Sequence, residues 1–353
     1  MTDRTDAGQG RGPTEAEGPV PRGTARALCE EYDAALCDLD GVVYVGGAAV
    51  PGAAEALRAA RAAGMGVAFV TNNASRTPSA VAARLTRFGV PATAADVVTS
   101  AQAAARLIAE RFPAGSPVLV VGANGLRTAL RERGLRPVTS AEDEPVAVVQ
   151  GYNPRLGYDQ LAEGTVAVRR GALFVASNGD TTVPGRRGPE PGNGAMIRVI
   201  ATAAGVEPVV AGKPEPPMHR EGVLRTGAKR PLIVGDRLDT DIEGASRGGA
   251  DSLLVLTGVT TPAELVAASP EHRPTYLAAG LDGLLAPHPE VKEGPDGHAC
   301  GGWTVRIRDG RPEITGSGDP LDGLRALCAV AWTSTTPPTP STIETALKTL
   351  GAL

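Results

Sequence analysis

Aromatic residues are scarce: Phe, Trp and Tyr make up 3% of the 353 residues. Aliphatic side chains and alanine must therefore fill whatever core this chain builds. Long apolar runs are missing too. None approaches the roughly 18 residues a membrane helix needs, which argues against a membrane partner. Cysteine is sparse, and Cys29, Cys37, Cys300 and Cys328 have no metal-ligand spacing. They fit the reduced thiols of a cytoplasmic protein better than a disulfide framework. The histidines His219, His272, His288 and His298 form no metal pattern either and read as surface or structural residues. Nor is there an excess of positive charge. The formal net charge is −4, which argues against a nucleic-acid partner. Met1 to Arg22 is rich in Gly, Pro, Thr and acids and has no apolar segment of the signal-peptide kind, so it reads as a disordered leader.

What is present is ordinary for a globular protein: 42% hydrophobic and 21% charged residues. At roughly 100–200 residues per domain, the length predicts two or three domains. From residue 33, short apolar strands alternate with amphipathic helices, the pattern of an α/β fold with a parallel sheet. Strands are predicted over Ala34–Leu39 and Gly66–Val70, with helices over Pro51–Ala63 and Ser79–Phe88. A second series begins near residue 100, with strands Pro117–Val121, Val146–Val149 and Leu173–Ala176 and helices Gly125–Arg133 and Tyr158–Arg169. Ser177–Asn193 reads as a long loop, and loops of that length are often functional. A helix over Gly194–Ala204, a short strand running into Lys213, a helix Met218–Thr226 and strands Pro231–Val234 and Asp251–Leu256 follow. Past Pro289, Glu293–Gly297 reads as a linker to a small unit of two strands and two helices.

Four stretches stand at the C-terminal ends of predicted strands: Asp38/Asp40, Thr71/Asn72, Lys213 and Asp236/Asp241. In an open parallel sheet that edge is where ligands bind. Strand alternation lets Asp38 and Asp40 project to one side. Two such carboxylates repel unless a cation sits between them. Mg²⁺ prefers oxygen ligands and takes one or two carboxylates, keeping room for a substrate phosphate. Asp38 and Asp236 supply carboxylates, and the Asp40 carbonyl a third oxygen. The Asp40 side chain is then free to move a proton, and Asp38 to attack phosphorus. Lys213 offers positive charge to Asp38 and the phosphoryl oxygens. Asn72, the Thr71 hydroxyl and backbone amides near Gly41 can hold those oxygens. Asp180, at the end of a strand in the second series, is a candidate for contact with the substrate. Gly122–Gly125 lacks the full G-x-G-x-x-G of a dinucleotide loop and reads as a plain strand–helix turn.

The stretches Asp38-Leu39-Asp40-Gly41-Val42-Val43-Tyr44, Thr71-Asn72-Asn73, Gly212-Lys213-Pro214 and Gly235-Asp236-Arg237-Leu238-Asp239-Thr240-Asp241 together resemble the haloacid dehalogenase superfamily. Within it they are similar to the branch of 4-nitrophenyl, phosphoglycolate and pyridoxal phosphate phosphatases. The resemblance implies a Rossmann-like core over 23–99 and 206–289, an α/β cap inserted over 100–205, and a small α+β region over 290–353. It implies Mg²⁺, Asp38 as nucleophile, Asp40 as acid/base, Asp236 as metal ligand and Asp241 as an orienter behind it. Lys213, Asn72 and Asn73 are implied in the phosphate site. Core plus C-terminal region resemble the actinobacterial glycerol 3-phosphate phosphatases, whose C-terminal region is likened to part of an acetyltransferase fold. A small phosphate ester, glycerol 3-phosphate first and 2-phosphoglycolate next, is the implied substrate, with dimerisation through the cap a family habit. A carbon–halogen hydrolase would not need Asp40. A non-catalytic sugar-phosphate binder would not need Asp38, Asp40, Lys213 and Asp236 together.

Overall fold

The structure is a computed structural model that describes residues 20–185 and 187–352. Most of the expected leader, and Arg186, lie outside the described residues. Six parallel strands form the first sheet, in the order Tyr276–Ala278, Asp251–Val255, Pro231–Gly235, Ala34–Cys37, Gly66–Thr71, Val97–Thr99. They are continuous aliphatic runs because helices cover both faces. Leu36, Phe69, Val98, Val234 and Leu253 are all fully buried. The second sheet has five parallel strands, ordered Val209–Val210, Leu173–Ala176, Ala147–Gln150, Pro117–Val121, Arg136–Val138. Gly122 turns the chain from Pro117–Val121 into the helix Asn124–Glu132, as a plain turn should.

Several boundaries follow from local chemistry. The helix Pro78–Arg87 starts where Thr77 accepts from the Ala80 N–H and proline occupies the first turn. The helix Ser100–Ala109 starts on a capping box between Thr99 and Gln102. This strand–helix pair, Val97–Thr99 and Ser100–Ala109, lies outside the sequence expectations, and its strand is only three residues long.

Four expectations need correction. The first strand ends at Cys37, not Leu39, so Asp40 lies on the loop and strand alternation does not set its direction. The second sheet extends past residue 205, because Val209–Val210 hydrogen-bonds to Leu173–Ala176. Lys213 therefore arrives from the second sheet, and only the other three stretches leave the first. The loop Ser177–Asn193 contains a hairpin, Thr182–Gly185 with Gly188–Pro191. Glu293–Gly297 is no linker: Lys292–Gly294 pairs with Gly297–Cys300 around a Pro-Asp turn, and Pro, Asp and Gly serve turns as readily as linkers.

The C-terminal unit is a four-stranded antiparallel sheet (Lys292–Gly294, Gly297–Cys300, Trp303–Arg308, Arg311–Gly316) with helices Pro320–Thr333 and Pro340–Leu350. It has no separate core. Leu254, Leu265 and Leu277 of the first unit share one apolar cluster with Trp303, Leu327 and Leu347. The buried Arg325 donates to the Leu277 carbonyl at the edge strand of the first sheet.

Candidate active site

Lys213 is the centre of the site. Its side chain is 4% exposed and all three N–H bonds of its ammonium are engaged. They go to Asp38 Oδ1 at 2.5 Å, Asp241 Oδ1 at 2.7 Å and the Val70 carbonyl at 3.3 Å. Burial opposes the charge, yet the Asp241 and Asp38 carboxylates outweigh it and hold Lys213 protonated above its ordinary range.

Asp38 follows the strand Ala34–Cys37 directly. Burial raises its pKa well above the usual carboxylate range, with the charges of Asp241 and Asp236 adding to the rise and Lys213 opposing it. Asp236 ends up fully buried just after Pro231–Gly235, and burial, with the Asp241 charge behind it, pushes its pKa up to about 6. One oxygen from each of Asp38, Asp236 and Asp241 lies within 4.8 Å of the others. Asp241 is already committed, to Lys213 and to the Arg237 N–H. Asp236 Oδ2 accepts from the Val259 N–H at 2.8 Å, but its Oδ1 is buried with no hydrogen-bond partner. A buried carboxylate oxygen left bare is costly, and a cation is the partner that suits it. The residues therefore fit Mg²⁺, which Asp38 and Asp236 could hold with Asp241 behind them.

Two glycines shape this cradle. A Cβ on Gly41, whose φ is +90°, or on Gly258 would collide with the Asp236 carboxylate. Thr257 Oγ1 donates to the Gly41 carbonyl at 2.5 Å and ties the two loops together. The segment Thr257–Thr260 escaped sequence reasoning. Its signal was its place after the strand Asp251–Val255, at the ligand-binding edge already identified.

Asp40 lies at the mouth of the site. Tyr44 Oη donates to its Oδ2 at 3.4 Å, and the Arg84 guanidinium stacks 4.2 Å from the Tyr44 ring. The surrounding protein raises the Asp40 pKa, while Arg84 and the Tyr44 hydroxyl pull it back. Neither Tyr44's contact nor Arg84 was read from the sequence, since Arg84 is one of many helix arginines.

Thr71 and Asn73 stand beside the site, but their side chains mainly build the loop. Thr71 Oγ1 accepts from the Asn73 N–H, and Asn73 Oδ1 accepts from the N–H groups of Ser75 and Arg76. Asn72 is spoken for. Its Oδ1 accepts from the Lys213 N–H at 2.8 Å, and its Nδ2 donates to the Lys213 carbonyl and to Asp180 Oδ1, both at 3.1 Å. In this conformation Asn72 aligns Lys213 and joins the two parallel-sheet units. Asp180 also accepts from Asn178 Nδ2 at 2.7 Å. Burial raises its pKa against the pull of those two amides. A pocket of about 310 Å³ opens here, walled by Asp180, Thr181, Lys213, Glu215, Arg237 and Asp239 among others. Arg237 is locked to Asp239 by two hydrogen bonds of 3.0 and 2.7 Å, so Asp239 serves that pair rather than the acidic cluster.

Residues 35–136 match the family model of haloacid dehalogenase-like hydrolases, and 210–284 a second model of HAD-like hydrolases. Over 312 residues the chain is 43% identical to D-glycerol 3-phosphate phosphatase of Mycobacterium tuberculosis, covering 87% of this chain and 86% of that protein. The chain belongs to the haloacid dehalogenase superfamily. A crystal structure of glycerol phosphate phosphatase from M. tuberculosis in complex with magnesium superposes with a TM-score of 0.83 at 41% identity, covering 93% of this chain and all of that one. An acid sugar phosphatase of Staphylococcus saprophyticus is 38% identical over 259 residues, 72% of this chain and 98% of that enzyme. Residues 300–352 match a GCN5-related N-acetyltransferase-like domain. Among the described residues no helix is long and apolar enough to cross a membrane.

Proposed function

We propose that this chain is a Mg²⁺-dependent phosphomonoesterase acting on a small polar phosphate ester, glycerol 3-phosphate first. The observation that carries the reading is the buried Lys213 ammonium holding Asp38 beside an Asp236 oxygen that has no partner. The substrate rests on the likeness to the mycobacterial enzyme. The pocket beside Lys213 mixes charged residues (Asp180, Glu215, Arg237, Asp239) with Val210 and Pro214, and its wall has no aromatic ring to stack on a pyridine or nitrophenyl group.

Asp38 attacks phosphorus, and the bond from phosphorus to the ester oxygen breaks. Asp40 hands its proton to the leaving alkoxide, giving the free alcohol and an aspartyl-phosphate. Asp40 then takes a proton from water as that water attacks the same phosphorus. The acyl phosphate bond breaks, inorganic phosphate leaves and the Asp38 carboxylate is restored. Lys213 aims Asp38 and favours its carboxylate form before attack and after the phosphate leaves. Mg²⁺, when bound by Asp38, Asp236 and the Asp40 carbonyl, supplies positive charge that offsets repulsion between the carboxylates and the phosphate dianion. The residues around the pocket from Asp180 to Thr181 would select the leaving group.

Phosphate release measured with Mg²⁺ across glycerol 3-phosphate, 2-phosphoglycolate, pyridoxal phosphate and 4-nitrophenyl phosphate tests both parts. The expected result is the highest kcat/KM for glycerol 3-phosphate and a loss of at least about 10³-fold in Asp38→Asn. A different best ester overturns the substrate and leaves the mechanism. An active Asp38→Asn overturns the mechanism.

A further inference from the structure

The helix Pro262–Val266 has five residues, far too few to hold helical form alone in water. It begins on a capping box, with Glu264 Oε2 accepting from the Thr261 N–H at 2.8 Å. The residues just before it grip Asp236. The Val259 N–H donates to Asp236 Oδ2 at 2.8 Å, and the Thr260 N–H donates to the Asp236 carbonyl at 3.1 Å. Gly258 packs directly against the same carboxylate. The side chain and the backbone of Asp236 are thus both held by a segment that runs straight into this short helix.

What holds the helix is the C-terminal unit. Leu265 and Val266 are buried in the apolar cluster that contains Leu327, Trp332, Ile343 and Leu347. Trp332 Nε1 donates to the Leu265 carbonyl at 3.2 Å. Arg273 lies 5.4 Å from the Trp332 ring and donates to the Ala268 carbonyl just beyond the helix. The whole length of the staphylococcal relative fits within 72% of this chain, so a related phosphatase does without the equivalent of a full unit of this kind.

We propose that the acetyltransferase-like C-terminal unit is a positioning element for the metal site. It clamps the helix Pro262–Val266, and through Val259 and Thr260 it sets the Asp236 carboxylate. The proposal rests on the reading of Asp236 as a metal ligand.

The test is calorimetric titration of Mg²⁺ alone into the full-length protein. Trp332→Phe removes the indole donor, and Leu265→Ala loosens the short helix. Leu119→Ala, in the second sheet and outside that apolar cluster, serves as a destabilised comparison. The expected result is a Kd for Mg²⁺ raised about 3-fold or more in both Trp332→Phe and Leu265→Ala. In Leu119→Ala it stays within about 2-fold of wild type, although the Tm falls. Turnover should recover at saturating Mg²⁺, with KM for the ester unchanged. An unchanged Kd in folded Leu265→Ala and Trp332→Phe overturns the proposal. So does an equal rise in Leu119→Ala, which would make the effect one of general stability. Wild-type protein that binds no Mg²⁺ removes the metal reading and the proposal with it, and only that outcome shows already in the unmutated chain.

Discussion

A single methyl group is enough to probe the proposed metal cradle. Gly258 has an ordinary backbone conformation, so alanine there strains no dihedral angle. Its Cβ would nonetheless fall on the Asp236 carboxylate, which must move. Gly258→Ala is expected to stay folded, with a Tm within a few degrees of wild type, and to need about 10-fold more Mg²⁺ for half-maximal phosphate release. A Mg²⁺ requirement equal to wild type would show that the carboxylate has slack. The contrast with the acids is instructive. Asp38, Asp236 and Lys213, which the fold brings together, could be picked from the sequence as a group because their order and spacing form a recognisable motif set. Gly258, Thr257 and Arg84 could not, because nothing in a lone Gly, Thr or Arg distinguishes a cradle or a stacked cation from an ordinary turn or surface. Asn72 was found but its present partner was not: a carboxamide that suits a phosphate oxygen suits a backbone amide equally well.

Helix Pro216–Thr226 carries the clearest dependence on pH. His219 lies buried on it, with Nδ1 2.9 Å from the Gly244 carbonyl and Nε2 without a partner. Burial first, and the nearby Lys213 charge second, lower its pKa to about 4, with Asp241 pulling the other way. The unfolded chain, near 6.5, binds more protons between those limits. The contribution of neutral His219 is therefore complete above about pH 6.5 and is lost as pH falls towards 4. At about 1.4 kcal/mol per unit, it is on the order of 3 kcal/mol. His219→Gln keeps a donor for Gly244 but cannot titrate. Its Tm, compared with wild type from pH 7.5 to 4.5, should fall less steeply; parallel curves would refute the assignment. On the same helix, buried Glu221 gathers Arg106, Arg133 and Arg225 and bolts the helix to Ser100–Ala109 and its neighbours. At this scale the sequence was legible for several of the longer helices and strands, though not for Ser100–Ala109. Tyr158–Arg169, Pro117–Val121 and Leu173–Ala176 agree residue for residue. It failed where an element was short or where turn-forming residues hid a hairpin, as at Val97–Thr99 and Glu293–Gly297.

The whole molecule is more continuous than its pattern of sheets suggests. The C-terminal sheet and helices have no core apart from the cluster they share with Leu254, Leu265 and Leu277. Cutting the chain after residue 289 would bare that apolar face, and faces of this kind drive aggregation. The truncated protein is expected to be insoluble or to melt at least about 10 °C below the full chain. A soluble truncation with the wild-type Tm would mean that the face is covered in another way. The sequence could mark a change of texture near residue 289. It could not show the sharing, because an apolar side chain does not record which unit it will pack against.

The route by which Lys213 reaches Asp38 bears on engineering. The lysine follows Val209–Val210, the edge strand of the second sheet, and its backbone is clasped by Asn72 of the first. The unit proposed to select the leaving group and the lysine proposed to hold Asp38 therefore share one stretch of chain. Grafting a foreign cap for a new substrate would displace the ammonium by whatever the new edge strand shifts. A graft with its downstream seam after Pro214 would bring along a lysine shaped for another Asn72. One with its seam before Val209 would keep the lysine and break a strand pair. On the proposed roles, substrate range and turnover in this chain cannot be exchanged as separate parts.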